Sequence, residues 1–266
     1  MKYLRKLWAK RPLGRKRRKA AAEAKRLWQP VPLEKKESQS EGELYEYFLS
    51  SSERDIHKWH HYFDIYERHL KRFVGTPFRF LEIGVFRGGS QRMWRDYFGA
   101  DATIVGIDID VSCAELDGRH GAVRIGDQSD PAFLSSVCEE FGSFDAILDD
   151  GGHDPSQQIA SFCHLYPLLA ENGVYICEDT QTNYWPTRQD LGRHKTFVNL
   201  AAEVAKRLTE PHYSRANYDR FGRRPTEREG ELNVSYLAAT TFSVQFYDAV
   251  VVLEKRRKAE PWHEIR

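Results

Sequence analysis

The sequence predicts an α/β protein with a doubly wound, mostly parallel sheet of seven strands and a helical segment before the sheet. Between residues 76 and 255, continuous apolar runs alternate with helical patterns. This alternation indicates a parallel sheet covered by helices on both faces. The stretch "YLAATTFSVQFYDAVVVLEK" then supplies two more strands around a tight "YD" turn, a pair typical of one particular doubly wound sheet. The 266 residues suffice for one sizeable core.

Composition favours a soluble globular protein, with 41% hydrophobic and 30% charged residues. No apolar run approaches the roughly 18–20 residues that a transmembrane helix needs. The basic start lacks the apolar stretch of a secretory signal. The four scattered cysteines show no metal-finger spacing, which indicates free thiols in a reducing compartment. We therefore predict a cytoplasmic protein.

The net charge of +1 conceals a strong asymmetry. Residues 1–30 carry twelve lysines or arginines and one acid, Glu23, so their formal charge is about +11 and that of the remainder is about −10. Two interpretations of a basic tail over residues 1–38 stay open. It is either solvated and poorly ordered, or an amphipathic segment that makes peripheral contact, through residues 1–30, with the inner membrane face or another polyanion. The acidic remainder argues against a specific nucleic-acid partner.

The pattern divides the rest of the chain into three parts. Residues 39–75 read as a helical cap segment, since Trp59, Tyr62, Phe63, Tyr66 and Leu70 follow a helical spacing. Residues 76–255 form the α/β domain, and residues 256–266 form a C-terminal tail. Within the domain, the polar, arginine-rich stretch 181–232 is expected to be a substrate lid or an oligomer contact. Its candidate substrate residues are Tyr184 and Trp185, with Tyr62 from the cap segment, and Arg188 and Arg193 add cationic groups.

The elements of the domain follow in order. Its predicted parallel strands are "PFRFLEIGVF", "ATIVGIDID", "GAVRIGD", "FDAILDDGG" and "VYICEDT". The helices "DPAFLSSVCEEFG" and "DPSQQIASFCHLYPLLAENG" lie between the later strands, and Gly173 closes the second of them.

Acidic residues follow all five strands, so they meet at the edge where open α/β sheets bind ligands. After strand one, "EIGVFRGGS" lets a ligand approach the backbone but is not a dinucleotide fingerprint, and Glu82, Gly84 and Ser90 are its candidate ligand-binding residues. Asp108 ends strand two about 20–25 residues further on, where such folds bind ribose hydroxyls.

Further candidates follow strands three and four. Asp127 and Gln128 are placed to bind an adenine, whereas Asp130 is better explained as a helix cap before Pro131. Asp149 and Asp150 are adjacent acids with two possible roles. They are either turn and helix-capping residues, or they form one side of a cation site. Because successive strand residues face opposite ways, we expect Asp149 to point to solvent or to the cofactor side.

The motifs "FLEIGVFRGGSQRMW", "GIDID", "GDQSD", "DAILDDGGH" and "VYICEDT" together resemble class I S-adenosylmethionine-dependent methyltransferases, which have a Rossmann-like fold. More narrowly, they resemble the metal-dependent sugar O-methyltransferases of macrolide biosynthesis, of the macrocin and mycinamicin type, and the cephalosporin hydroxylase-like family. The resemblance covers roughly residues 52–255. It departs from the family's Asp-Lys pair, which here is separated as Asp55-Ile56-His57-Lys58.

The resemblance implies S-adenosylmethionine as the cofactor and a magnesium ion, or a similar divalent cation, held by Asp150, Glu178 and Asp179. It implies His153 as the general base. Three carboxylates on neighbouring strands repel one another, and a hard cation would remove that repulsion. Such an ion lowers the pKa of a sugar hydroxyl, and His153 would accept the proton.

The predicted function is methyl transfer to a sugar hydroxyl of a glycosylated metabolite, glycolipid or polysaccharide precursor, as in natural-product biosynthesis. The acceptor is then a small-molecule or lipid-linked sugar, and the resemblance implies a homo-oligomer. A magnesium-dependent O-methyltransferase of a catechol-like molecule stays open as an alternative, as does a non-enzymatic protein that binds S-adenosylmethionine or a polyanion.

Overall fold

The computed structural model describes residues 25–37, 40–52, 55–192 and 194–264, without the side chains of residues 215 and 216. The chain divides into two units, residues 1–38 and 39–266. In the described part of the first unit, the apolar side chains are largely exposed, namely Leu27, Trp28, Val31 and Leu33. Most of the predicted basic tail lies outside the described residues, so its role stays a prediction.

A single seven-stranded sheet organises the second unit. Its strands are β1 (Arg79–Ile83), β2 (Thr103–Asp108), β3 (Ala122–Ile125), β4 (Ala146–Asp149), β5 (Val174–Cys177), β6 (Thr241–Phe246) and β7 (Val251–Lys255). Their order is β3-β2-β1-β4-β5-β7-β6. Strands β1 to β5 are parallel, and β7 lies antiparallel between β5 and β6. The predicted fold class is confirmed.

Eight α-helices occur in the described part of the second unit. They are α1 (Glu43–Ser50), α2 (Tyr62–Leu70), α3 (Gly89–Phe98), α4 (Pro131–Phe141), α5 (Pro155–Leu168), α6 (Phe197–Arg207), α7 (Arg215–Phe221) and α8 (Tyr236–Thr240). Short 3₁₀ turns occupy Lys71–Phe73, Val111–Leu116, Thr180–Tyr184, Pro186–Arg188, Glu210–His212 and Pro225–Glu227. None of the described helices is long and apolar enough to cross a membrane.

The region predicted as one helical segment contains two short helices. Helix α2 begins only at Tyr62, and residues 55–58 before it run along a cleft at the sheet edge. Trp59, expected on the apolar face, is 55% exposed because it precedes the helix. The stretch "YLAAT", predicted as strand, is likewise helix α8, which Ser235 caps through the backbone N–H of Ala238.

Apolar side chains cover both faces of the sheet. Phe80 and Trp94 belong to one buried cluster, and Phe162 and Tyr175 belong to the other. The first cluster also contains Tyr62, Phe63, Tyr66 and Leu70 of α2. Burial of side chains of this size contributes roughly 1.5–3 kcal/mol each. Helix α2 is therefore fixed to the sheet, and its two tyrosines are held in place.

Candidate active site

A cleft of about 460 Å³ opens at the carboxyl edge of the parallel strands. The predicted ligand-binding residues that line it are Gly84, Ser90, Asp108, Asp127 and Gln128. The predicted metal or catalytic residues that line it are Asp150, His153 and Asp179. The structure therefore brings eight of the predicted residues to one cleft, and its volume is in the usual range for small-molecule sites.

Asp108 organises the glycine-rich turn after β1. Its Oδ2 accepts hydrogen bonds from the backbone N–H groups of Val85 at 2.8 Å and Phe86 at 3.0 Å. Gly84 in the same turn has φ +95°, and a Cβ there would lie 2.3 Å from the carbonyl oxygen of Asp150. The turns after β1 and β4 therefore touch each other, and only glycine permits this approach.

Glu82 does not line the cleft, although we predicted a ligand-binding role for it. It is fully buried, and its carboxylate accepts hydrogen bonds from Ser90 Oγ at 3.0 Å and Trp94 Nε1 at 2.9 Å. Burial raises the pKa of Glu82 to about 7, against the opposing effect of Lys58. Glu82 thus supports the turn from inside and orients Ser90.

The structure corrects the expected orientation of Asp149. The side chain is buried and does not line the cleft, and it accepts hydrogen bonds from Tyr175 OH at 2.9 Å and Gln128 Nε2 at 3.0 Å. Burial raises the pKa of Asp149 to about 7. Gln128 Oε1 also accepts from the backbone N–H of Gly152 at 2.7 Å. Asp149 and Gln128 therefore join the ends of β3 and β4.

Two other acids of these turns are helix caps, and a third makes local contacts within its turn. Asp130 Oδ1 accepts from the backbone N–H of Ala132 at 2.9 Å and caps α4, as predicted. Asp154 caps α5 in a capping box with Gln157. Asp127 Oδ1 accepts from Ser129 N at 2.8 Å and Ser129 Oγ at 2.7 Å. Because Asp154 caps α5, Asp150 is not required for this purpose.

Asp150, His153 and Asp179 form a group that fits a divalent cation. One ligand atom from each lies within 4.8 Å of the other two. His153 Nε2 lies 3.6 Å from Asp179 Oδ2 and 4.0 Å from Asp150 Oδ1. The two carboxylates are donors that Mg²⁺ or Mn²⁺ accepts in proteins, whereas an imidazole suits softer metals.

The backbone at two of these residues is unusual. His153 has φ +61° and Asp179 has φ +51°, in the left-handed region that non-glycine residues seldom occupy. Such conformations cluster at functional sites, where the surrounding structure enforces them. Thr182 Oγ1 donates to the carbonyl of His153 at 2.8 Å and to that of Asp179 at 2.7 Å. One hydroxyl therefore ties the two strained positions together.

Glu178 differs from its two acidic neighbours. It is fully buried, its Oε1 accepts a hydrogen bond from Tyr66 OH, and its Oε2 lies 2.9 Å from Lys58 Nζ. Burial raises the pKa of Glu178, and Lys58 opposes that rise. Both carboxylate oxygens thus contact donors of the protein itself. The assignment of Glu178 as a metal ligand stays a prediction.

Lys58 and Tyr66 are site residues that the sequence analysis did not identify. Lys58 Nζ also lies 2.5 Å from Asp150 Oδ2. Burial alone would lower the pKa of Lys58, but Asp150 and Glu178 outweigh burial and raise it. Tyr62 and Tyr66 are four residues apart on α2, and this spacing places both hydroxyls near the acids, at Asp179 and Glu178. Lys58 precedes the helix, so no helical spacing pointed to it.

Tyr62 contacts a candidate metal ligand rather than the cleft. Its hydroxyl donates to Asp179 Oδ1 at 2.6 Å, and Gln181 Nε2 donates to the same oxygen at 3.1 Å. Burial works to raise the pKa of Asp179, but these hydrogen bonds and the nearby His153 hold it below its usual range. Asp179 therefore stays ionised.

The predicted lid is attached to the same turn. Arg188 Nη1 donates to the carbonyl of Gly152 and lies 3.3 Å from Asp154 Oδ1. Tyr184 and Trp185 are 61% and 49% exposed and do not line the cleft. Arg193 lies outside the described residues. The roles of Tyr184 and Trp185 in substrate binding stay predictions.

Comparison with known proteins identifies the relatives of the chain, although no protein-family model matches it. It is 32% identical over 210 residues to 8-demethyl-8-α-L-rhamnosyl tetracenomycin-C 2'-O-methyltransferase of Streptomyces olivaceus, covering 75% of this chain and 52% of that protein. It is 36% identical over 128 residues to mycinamicin VI 2''-O-methyltransferase of Micromonospora griseorubida, covering 46% of this chain and 32% of that protein.

A solved structure of the MycE methyltransferase of mycinamycin biosynthesis, in complex with Mg, SAH and mycinamycin VI, matches the fold. The TM-score is 0.66 at 25% sequence identity, over 83% of this chain and 54% of that one. The chain belongs to the class I S-adenosylmethionine-dependent methyltransferases. The chain spans about half the length of the first relative and of MycE.

Proposed function

We propose that this protein transfers a methyl group from S-adenosylmethionine to a sugar hydroxyl of a glycosylated small molecule, with the help of a divalent cation. One observation carries the proposal. Asp150, His153 and Asp179 converge within the cleft that the predicted cofactor residues line, in a chain related to sugar O-methyltransferases. The donors of a metal site, a base and a cofactor cleft therefore share one opening.

The cleft supplies what S-adenosylmethionine needs. Asp108 at the end of β2 and Asp127 at the end of β3 line it, and we propose that they bind the ribose hydroxyls and the adenine, respectively. The turn at Gly84 lets the ligand approach the backbone closely. When bound, the sulfonium provides an activated methyl group for nucleophilic attack.

The acidic group supplies oxygen donors for magnesium or a similar cation. Asp150 and Asp179 would hold the ion, as would Glu178 if its contacts rearranged. A bound cation lowers the pKa of a coordinated hydroxyl and offers positions for the two oxygens of a vicinal diol. The sugar hydroxyl would then lie beside His153.

His153 is the proposed general base. The acceptor oxygen forms its bond to the methyl carbon, the carbon–sulfur bond breaks with the electron pair staying on sulfur, and the hydroxyl proton passes to the imidazole. The resulting imidazolium would lie 3.6 and 4.0 Å from carboxylate oxygens of Asp179 and Asp150, which stabilise its charge. The contact from Thr182 to the His153 carbonyl fixes the turn that carries the ring.

The proposal has three further features. We propose a cytoplasmic location, a homo-oligomeric state and a peripheral membrane contact through residues 1–30. The acceptor is a glycosylated metabolite, or a lipid-linked sugar if that membrane contact exists. The roles of Tyr184 and Trp185 at the acceptor fit the affinity of aromatic faces for sugars.

The test is methyl transfer from radiolabelled S-adenosylmethionine to two acceptor panels, rhamnosyl glycosides and catechols, with Mg²⁺ or with a chelator. We expect transfer to a glycoside only with Mg²⁺, and its loss in His153→Ala. Transfer to catechols alone would favour the catechol-like alternative. Binding of the cofactor without transfer to any acceptor would favour the non-enzymatic one.

A further inference from the structure

Side chains from two directions hold the backbone of the turn that carries His153. On one side, Gln128 Oε1 accepts a hydrogen bond from the backbone N–H of Gly152 at 2.7 Å. On the other side, Arg188 Nη1 donates to the carbonyl of Gly152, and Thr182 Oγ1 donates to the carbonyl of His153 at 2.8 Å. Two of these three contacts therefore come from the segment after β5. Because His153 has φ +61°, its conformation depends on contacts that enforce it.

The segment after β5, residues 180–188, is fixed to the core before it reaches the turn. Asn183 is fully buried, and its Nδ2 donates to Gln158 Oε1 of helix α5 at 2.8 Å. Gln158 is also fully buried, and its Nε2 donates to the carbonyl of Glu178 at 3.0 Å. The exposed aromatic pair that we assign to the acceptor lies between Asn183 and Arg188. The segment therefore links the proposed acceptor residues to the turn that carries the proposed base.

Arg188 contacts the residues on both sides of His153 through a single nitrogen. Its Nη1 donates to the carbonyl of Gly152 and lies 3.3 Å from Asp154 Oδ1. A charged donor forms a stronger hydrogen bond than a neutral one, and the carboxylate of Asp154 strengthens the attachment further. Gly152 and Asp154 are the direct neighbours of His153 in the chain. One side chain thus restrains the backbone before and after the imidazole.

We propose that Arg188 is a positioning residue for the proposed general base, His153. The inference rests on the proposed function. Arg188 does not line the cleft, so it acts through the backbone of Gly152 and the side chain of Asp154 and keeps the imidazole directed at the acceptor hydroxyl. Its loss lets the turn relax from the left-handed conformation of His153. A displaced base lowers the rate of proton transfer and leaves the binding of S-adenosylmethionine unchanged.

A double-mutant cycle between Arg188 and His153 tests this assignment. The readout is methyl transfer from radiolabelled S-adenosylmethionine, at saturating Mg²⁺, to a rhamnosyl glycoside that wild type methylates. Arg188→Met keeps the apolar stem and removes the donors, and it should lower kcat by about ten- to hundredfold with KM for the glycoside and the affinity for SAH within about threefold. In the His153→Ala background it should lower kcat by less than about twofold, because an absent base cannot be misplaced.

Two further variants complete the cycle. Arg188→Lys should keep kcat within about fivefold of wild type, since one ammonium can replace the single nitrogen that makes both contacts. Arg207→Ala is the matched control and should leave kcat unchanged. Arg207 belongs to the same arginine-rich stretch and is 45% exposed against 38% for Arg188, but it pairs with Glu203 and Glu210 instead of with the turn.

The outcomes separate the assignment from the proposed function. If Arg188→Met lowers kcat by the same factor in both backgrounds, or not at all in either, the assignment is overturned and the proposed function stands. An equal loss in Arg207→Ala would also overturn it. If wild type methylates no glycoside, the proposed function fails and the assignment fails with it. Thermal unfolding confirms that each variant folds, and Arg188→Gln takes the place of Arg188→Met in the cycle if the latter does not.

Discussion

Glu82 is a buried carboxyl group whose protonation is coupled to folding. Its pKa is raised by burial from 4.5 to about 7. Between pH 4.5 and about 7, the carboxyl group of Glu82 is therefore protonated in the folded state and ionised in the unfolded state. The stabilising contribution of the proton is fully present below pH 4.5 and is lost as the pH rises through about 7.

Substitution Glu82→Gln should flatten that dependence. The neutral amide cannot titrate, so the free energy of unfolding of wild type should fall relative to the variant by roughly 3 kcal/mol between pH 4.5 and 8. Urea unfolding at several pH values measures the difference. Parallel curves for the two proteins would show that Glu82 does not titrate in this range.

His153 is expected to act on the transferred proton and not on the cofactor. His153→Ala should lower kcat by roughly 10²–10⁴-fold, the usual contribution of a general base. Its affinity for SAH should stay within about threefold of wild type. The comparison requires single-turnover kinetics and a titration with SAH. An equal loss in Asp154→Ala, which removes the cap of α5, would indicate a disturbed turn instead of a lost base.

Some site residues were accessible from sequence and others were not. Asp108, Asp150 and His153 follow apolar strands directly, so strand topology alone places them at one edge. Lys58 and Tyr66 reach that edge from a segment before the sheet. Lys58 lies 92 positions before its partner Asp150, and Tyr66 lies 112 positions before its partner Glu178. Asp149 and Asp150 are adjacent, and only the packing of Tyr175 and Gln128 decides which one is buried.

At the scale of elements, helix α2 connects the apolar core to the acidic site. It buries aromatic side chains on the sheet and presents the hydroxyls of Tyr62 and Tyr66 to Asp179 and Glu178. The packing of α2 on the sheet therefore fixes the positions of the two hydroxyls, and the hydroxyls in turn orient the two carboxylates.

Tyr62→Phe tests this connection. The variant keeps the ring but removes the hydrogen bond to Asp179, so the pKa of Asp179 should rise and the affinity for Mg²⁺ should fall by about three- to tenfold. Tyr45→Phe is the matched control, because its hydroxyl contacts His60 instead of the acidic site. Calorimetric titration with Mg²⁺ compares the two. Equal Mg²⁺ affinities of the two variants would mean that Tyr62 contributes only to packing.

Elements with strong apolar patterns were predicted correctly, while elements shaped by tertiary contacts were not. The five parallel strands and the caps at Asp130 and Asp154 follow from local sequence. The break before α2 does not, because residues 55–58 follow the cleft instead of their own helical pattern. Helix α8 likewise begins at a serine cap within a stretch of high strand propensity.

At the scale of the molecule, all the described residues that line the cleft belong to the second unit, residues 39–266. Removal of residues 1–38 should therefore leave the affinity for SAH within about twofold of the full chain. Sedimentation with anionic vesicles should show binding of the full chain only, because the shortened chain lacks the concentrated basic charge of the N-terminal residues. Vesicle binding by the shortened chain, or loss of SAH binding, would contradict this division of roles.

The central claim is that a divalent cation and the methyl donor share the site at the carboxyl edge of the sheet. The most direct measurement is calorimetric titration of Mg²⁺ into the SAH complex of wild type and of Asp150→Asn. We predict one Mg²⁺ per wild-type chain, none in the variant, and SAH affinities within about threefold of each other. SAH binding without any Mg²⁺ binding by wild type would contradict the account.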